Sequence, residues 1–89
     1  MAIDFVTNLR KYDPHRRDIT FWGHDGGIEI TFRLDQLVLE PLLYGHPGPL
    51  DELWALMAFD KNINRVRAFA RKLYTGDKKT HFDISRARI

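Results

Sequence analysis

The sequence predicts an α+β fold: a small antiparallel sheet of three or four strands packed against a long helix and a shorter helical segment. Three observations predict it. An Asp25-Gly26 dipeptide separates two alternating runs, residues 18–24 and 27–34, which is a strong short-range hairpin signal. Apolar residues from Leu56 to Tyr74 recur at helical spacing. A last alternating run, Thr80-His81-Phe82-Asp83-Ile84, follows that helix. Strands first and helices after favour two layers, with helices on one face of the sheet. At 89 residues the chain is sized for a single domain over its whole length, 1–89.

Taken in order, Ile3-Asp4-Phe5-Val6 fits a short edge strand. Tyr12-Asp13-Pro14 reads as a turn, because proline fixes its own φ and pushes Asp13 out of the helical region. In the hairpin, a type I′ turn at Asp25-Gly26 sets Phe21 opposite Ile30 and Ile19 opposite Phe32 on one face. Trp22 then faces Glu29, Thr20 faces Thr31, and Asp18 faces Arg33 as an opposite-charge pair. A slip of one residue would mix the two faces. Asp35 is placed to cap a helical segment through Leu37, Val38, Leu39, Leu42 and Leu43. Pro41 lacks an N–H and clashes one turn back, so this segment breaks or restarts there and ends at Gly45.

The next helix opens at Pro49, carries Asp51 and Glu52 in its first turn, and is ended by Gly76. Leu56, Phe59, Ile63, Val66, Ala70, Leu73 and Tyr74 share an arc of roughly 100° at 3.6 residues per turn. Trp54 and Met57 fall well off that stripe, so the helix either bends near Asp60 or is two helices. Phe82 and Ile84 of the closing strand join the apolar face.

Several function classes fall away on composition. A hydrophobic fraction of 44% with 29% charged residues argues against disorder. There is no apolar run near the length of a membrane span and no basic, then apolar leader at residue 1. The chain has no cysteine, so no disulfide framework forms and a cytoplasmic setting is expected. His15, His24, His46 and His81 lack the spacing of a metal pair. His24-Asp25 is the nearest constellation, and there the carboxylate serves the turn. Gly23, Gly26 and Gly27 also read as turn residues, with no helix behind them to hold a phosphate. No nucleophile elbow, phosphate loop or metalloprotease motif is present. A non-enzyme without cofactor or metal is the expectation.

The hairpin residues also carry a resemblance. Tyr12-Asp13-Pro14, then Ile19-Thr20-Phe21-Trp22-Gly23-His24-Asp25-Gly26 and the strand from Ile28 to Phe32, resemble a family of short bacterial proteins known only as a domain of unknown function. Phe59-Asp60, Ile63, Ala70, Tyr74 and Phe82-Asp83 resemble its second half. Pro41 and Pro47-Gly48-Pro49 depart from the pattern. The resemblance implies a compact bacterial α+β domain and assigns no substrate, cofactor or catalytic residue.

Two binding readings remain. Residues 1–60 carry five basic and ten acidic side chains, whereas residues 61–89 carry nine basic and two acidic. Lys61, Arg65 and Lys72 project along one edge of the long helix and Arg67 and Arg71 along the other; Lys78 and Lys79 follow, then Arg86 and Arg88. Such a face suits nucleic acid or another polyanion; the plainer alternative is a solvated helix whose long stems cover apolar surface. No helix-turn-helix or aromatic RNA-reading signature supports the former. The favoured reading is a protein-interaction or adaptor domain, a homodimer in its simplest form. Trp22 lies on the hairpin face away from the core, Trp54 lies off the helix stripe, and Leu39 and Leu42 add apolar surface to a broken helix. The alternative there is a second core layer over Trp22.

Overall fold

The computed structural model describes residues 3–42, 51–76 and 79–85. Its elements are β1 (Arg10–Asp13), β2 (Asp18–Asp25), β3 (Ile28–Asp35), α1 (Gln36–Leu39) running into a 3-10 turn (Glu40–Leu42), α2 (Glu52–Lys61), α3 (Ile63–Leu73) and β4 (His81–Ile84). The four strands form one sheet in the order β1-β2-β3-β4. The α+β class is as expected, with one correction: β4 lies parallel to β3, so the sheet is mixed. The cause is the connection. The helices return the chain to the start of β3, and a helical crossover of this kind joins parallel strands.

The hairpin turn lies one residue later than Asp25-Gly26, which shifts the pairing of the two strands by two. Asp25 pairs with Ile28, leaving Gly26 and Gly27 as the loop. Gly26 has φ +62° and Gly27 lies outside the left-handed region, the sign pattern of a type II′ turn, which wants glycine first. Phe21 therefore faces Phe32, Ile19 faces Leu34, and Trp22 faces Thr31. A shift of two keeps every side chain on its expected face. It does separate Asp18 from Arg33: Asp18 faces Asp35, and Arg33 faces Thr20. The two carboxylates have other partners. Arg16 Nε lies 3.2 Å from Asp18, and Asp35 caps α1 by accepting from Leu37 N–H at 2.9 Å. Burial pushes the Asp18 carboxyl up from its ordinary value, against the pull of Arg16.

Residues 3–6 make a single bridge rather than a strand. Asp4 and His24 exchange backbone hydrogen bonds of 2.8 and 2.7 Å, and the chain then bulges outward until Arg10 meets Phe21. Tyr12 and Asp13 belong to β1, and the turn lies just after them. Asp13 accepts from His15 and Arg16 N–H at 2.9 and 3.1 Å, which holds its carboxyl below the usual range.

The long helical stretch is two helices. Asn62 closes α2 with its own amide on Ala58 O at 2.9 Å, and its carbonyl accepts from Val66 N–H at 3.0 Å to open α3. The helix does not run from Pro49 with Asp51 in its first turn: α2 starts at Glu52, and Asp51 is its extended N-cap, accepting from Trp54 N–H at 3.0 Å. The expected end of the first helical segment at Gly45 lies outside the described residues. Phe59, Val66, Ala70 and Tyr74 are buried, and Leu56, Ile63 and Leu73 pack against the core, as the stripe requires. Against them lie Ile19, Phe21, Ile30, Phe32 and Leu34 of the sheet, with Val38 and Leu39 of α1. The Tyr74 hydroxyl donates to the Asp25 carboxylate, tying the end of α3 to the hairpin tip; that bond raises the tyrosine's pKa.

Candidate interaction surface

Of the basic side chains singled out by charge, several have partners within the fold. The guanidinium of Arg67 lies 5.4 Å and that of Arg71 5.1 Å from the centre of the Phe5 ring, a cation–π arrangement. Arg67 also donates to Thr7 O at 3.2 Å and to Asn8 Oδ1 at 3.0 Å. These two residues clamp the N-terminal segment to α3. Lys79 lies 4.9 Å above Phe82. Lys78 lies outside the described residues. Lys61, Arg65 and Lys72 differ: they are exposed, α3 contains no acidic residue, and none of the three makes an ion pair among the described residues. The nearby Asp60 is already held by Arg10, Nε to Oδ1 and Nη2 to Oδ2, both at 2.9 Å.

The apolar candidates divide likewise. Leu39 is fully buried and Leu42 packs against the core, so both are core residues rather than surface; α1 and its 3-10 turn lie against α2. Trp22 is partly buried. Trp54 is 39% exposed on α2, beside Leu53 at 64% and Met57 at 49%. Leu53 escaped the sequence reading, which followed the buried stripe. The signal was present: α2, Glu-Leu-Trp-Ala-Leu-Met-Ala-Phe-Asp-Lys, is apolar around its whole circumference. Ala55, Ala58 and Phe59 face the core, and at 100° per residue Leu53 and Met57 fall on the opposite side.

A cleft of about 470 Å³ opens where the N-terminal bulge leaves β2. Phe5, Phe21, Phe59 and Ile63 line it with Trp22 and Leu9, together with Arg10, Asp60 and Arg67. Its polar groups are largely engaged with one another, through the Arg10–Asp60 pair and the Arg67 bonds to Thr7 and Asn8. Among the described residues no three His, Asp or Glu side chains group closely enough to hold a metal. No described helix is long and apolar enough to cross a membrane.

A sheet covered on one side by helices that present an apolar and then a basic outer surface defines a small α+β domain. Residues 3–85 match the family described as Protein of unknown function (DUF1488), and the chain belongs to that family. A crystal structure of a protein of unknown function from the same family, from Shewanella loihica PV-4, has a TM-score of 0.75 and 24% identity, covering 94% of this chain and 92% of that one. That likeness speaks to the fold. No curated protein matches the chain.

Proposed function

We propose that the chain is a non-catalytic protein-interaction domain of the cytoplasm that docks its partner through the outer face of α2. One observation carries this. α2 is apolar on both sides, buries one side in the core, and leaves Leu53 and Met57 about half exposed or more with Trp54 at their flank. A helix that is apolar all round is ordinarily enclosed, and burial of apolar surface is favourable by roughly 25 cal/mol per Å². Aromatic and methionine side chains are also the types enriched at the centres of interfaces.

The test is photo-crosslinking in cells carrying the full-length protein. A benzophenone side chain is placed at Met57, and as control at Lys11, which is exposed on β1. A discrete adduct from position 57 and none from position 11 is the expected result. No adduct from position 57 removes this reading.

A second reading has its own observation, the outward row of Lys61, Arg65 and Lys72 without acidic partners among the described residues. It is a polyanion-binding surface. Fluorescence anisotropy with labelled oligonucleotides at increasing salt tests it. Three phosphate contacts would give a log–log slope of roughly −2 to −3, and charge reversal at Arg65 and Lys72 would abolish binding. Absence of binding at low salt eliminates it.

A further inference from the structure

We propose that the partner of α2 is an acidic amphipathic segment of another protein, whose apolar side chains cover Leu53, Trp54 and Met57 and whose carboxylates meet Lys61, Arg65 and Lys72; this rests on the interaction reading of the same face.

The buried residues fix the orientation of both helices. Ala55, Ala58 and Phe59 mark the core side of α2, and Val66 and Ala70 that of α3. At roughly 100° per residue, Trp54, Met57 and Lys61 fall on one flank of α2 and Arg65 and Lys72 on the same flank of α3, with Leu53 at the outermost point of α2. The exposed apolar group and the cations therefore share one surface, apolar at its start and basic beyond Met57. No carboxylate on that flank answers the cations. α3 contains no acidic residue. Glu52 and Asp60 fall on the opposite flank, Glu52 near Tyr12 and Asp60 held by Arg10 through two bonds of 2.9 Å. Asp51 is the helix cap. Lys61, Arg65 and Lys72 are exposed and make no ion pair among the described residues.

Complementary charge selects the occupant. A second copy of this chain brings the same cations and no counter-charge, so pairing on this surface sets like against like. A nucleic acid answers the cations and leaves Leu53 and Met57 uncovered. A helix lying in a membrane surface carries apolar side chains along its length with cations on its polar face, whereas the outer side of α3 offers Asn64 and Ala68 between cations. An acidic amphipathic segment answers both parts of the surface, in the manner of a helix laid along a groove. The apolar group is only three side chains on a helix of ten residues, short of the roughly 1,200–2,000 Å² of a standard stable interface. The contact is accordingly transient and weakened by salt.

Photo-crosslinking in cells carrying the full-length protein tests the proposal, with benzophenone at Met57 in one set and at Ala68, exposed between Arg65 and Lys72, in another. Each set is made in the parent, with Arg65→Glu and Lys72→Glu together, and with Lys11→Glu and Arg17→Glu together. The last pair makes the same change in net charge at exposed positions outside the helices. The folding of each variant is checked by circular dichroism. The expected result is an adduct of the same partner from both positions, with a yield reduced about tenfold by the α3 pair, as repulsion replaces attraction, and unchanged by the control pair. The captured peptide, read by mass spectrometry, carries Asp or Glu beside its apolar residues. An adduct from position 57 alone, a yield indifferent to the α3 pair, a captured peptide without carboxylates, or an adduct of this chain with itself overturns the proposal and leaves the interaction reading standing. So does an oligonucleotide signal abolished by the α3 pair while the position 57 adduct keeps its yield. If position 57 captures no protein, both fail.

Discussion

Replacing Phe32 by alanine is expected to cost about 3–5 kcal/mol of folding free energy, the range for emptying a buried phenylalanine site. Phe32 is fully buried in β3, in the middle of a row of rings that crosses the sheet. Its centroid lies 5.1 Å from Phe21 on β2 and 5.4 Å from Phe82 on β4, each nearly parallel to it, and 6.1 Å from Phe5 of the N-terminal bulge. Phe21 in turn meets Phe59 of α2 at 5.3 Å. One side chain thus joins two strand pairings to the N-terminal segment. Its loss removes ring pairs worth about 0.5–1.5 kcal/mol each beyond their buried area. A domain of this size has about 5–15 kcal/mol in total. Urea unfolding followed by tryptophan fluorescence should show a much lower midpoint at unchanged slope. Leu37→Ala, at a side chain that is mostly exposed, is the control and should change little. A loss below about 1 kcal/mol for Phe32→Ala would mean that the aromatic row is not the centre of the core.

Phe32 was legible from sequence because alternation assigns faces, and faces survive an error of two residues in register. Partners do not survive it, which is why Asp18 and Arg33 were wrongly paired. The helix stripe was legible for the same reason: period alone places Phe59, Val66 and Ala70 on the core. β1 was not legible. Arg-Lys-Tyr-Asp has no apolar alternation, and it is a strand because β2 has an open edge beside it. The direction of β4 depends on where the helices return the chain, which no local pattern records. On the surface, the split of the cations into two edges of the helix was readable from spacing. That Arg67 and Arg71 close over Phe5 was not, since it needs a segment some sixty residues away. The exposed face of α2 was half legible: Trp54 and Met57 stood off the stripe, but only burial shows Leu53 beside them.

Gly23 is the residue whose role the structure changes most, and its substitution should have the second large effect. It follows Trp22 in the hairpin and lies close in sequence to Gly26 and Gly27, which invites a turn reading. It is instead in β2, buried, opposite Ile30 on the core face. A Cβ there would sit 2.7 Å from Ile3 Cδ1, 2.9 Å from Ile3 Cγ1 and 3.1 Å from Phe5 Cε1. Ile3 has little room to yield: it is itself buried, and the Asp4–His24 bridge fixes the backbone beside it. Phe5 is held by Arg67 and Arg71 from the other side. Glycine weakens a strand interior by roughly 0.5–1 kcal/mol relative to alanine, so added bulk would stabilise β2 if the space were open. The contacts decide the sign. Gly23→Ala should lose about 1–3 kcal/mol, the usual range for overpacking, and Gly23→Val more than alanine. The loss should also be local at first. Hydrogen exchange at the Asp4 and His24 amides should quicken in both variants while the amides between β2 and β3 keep their protection, because the N-terminal segment can leave without opening the hairpin. If Gly23→Ala were as stable as the parent with the Asp4 and His24 amides still protected, the segment would not be packed on β2 as described. The cleft between the bulge and α2, which depends on that packing, would then have no fixed wall.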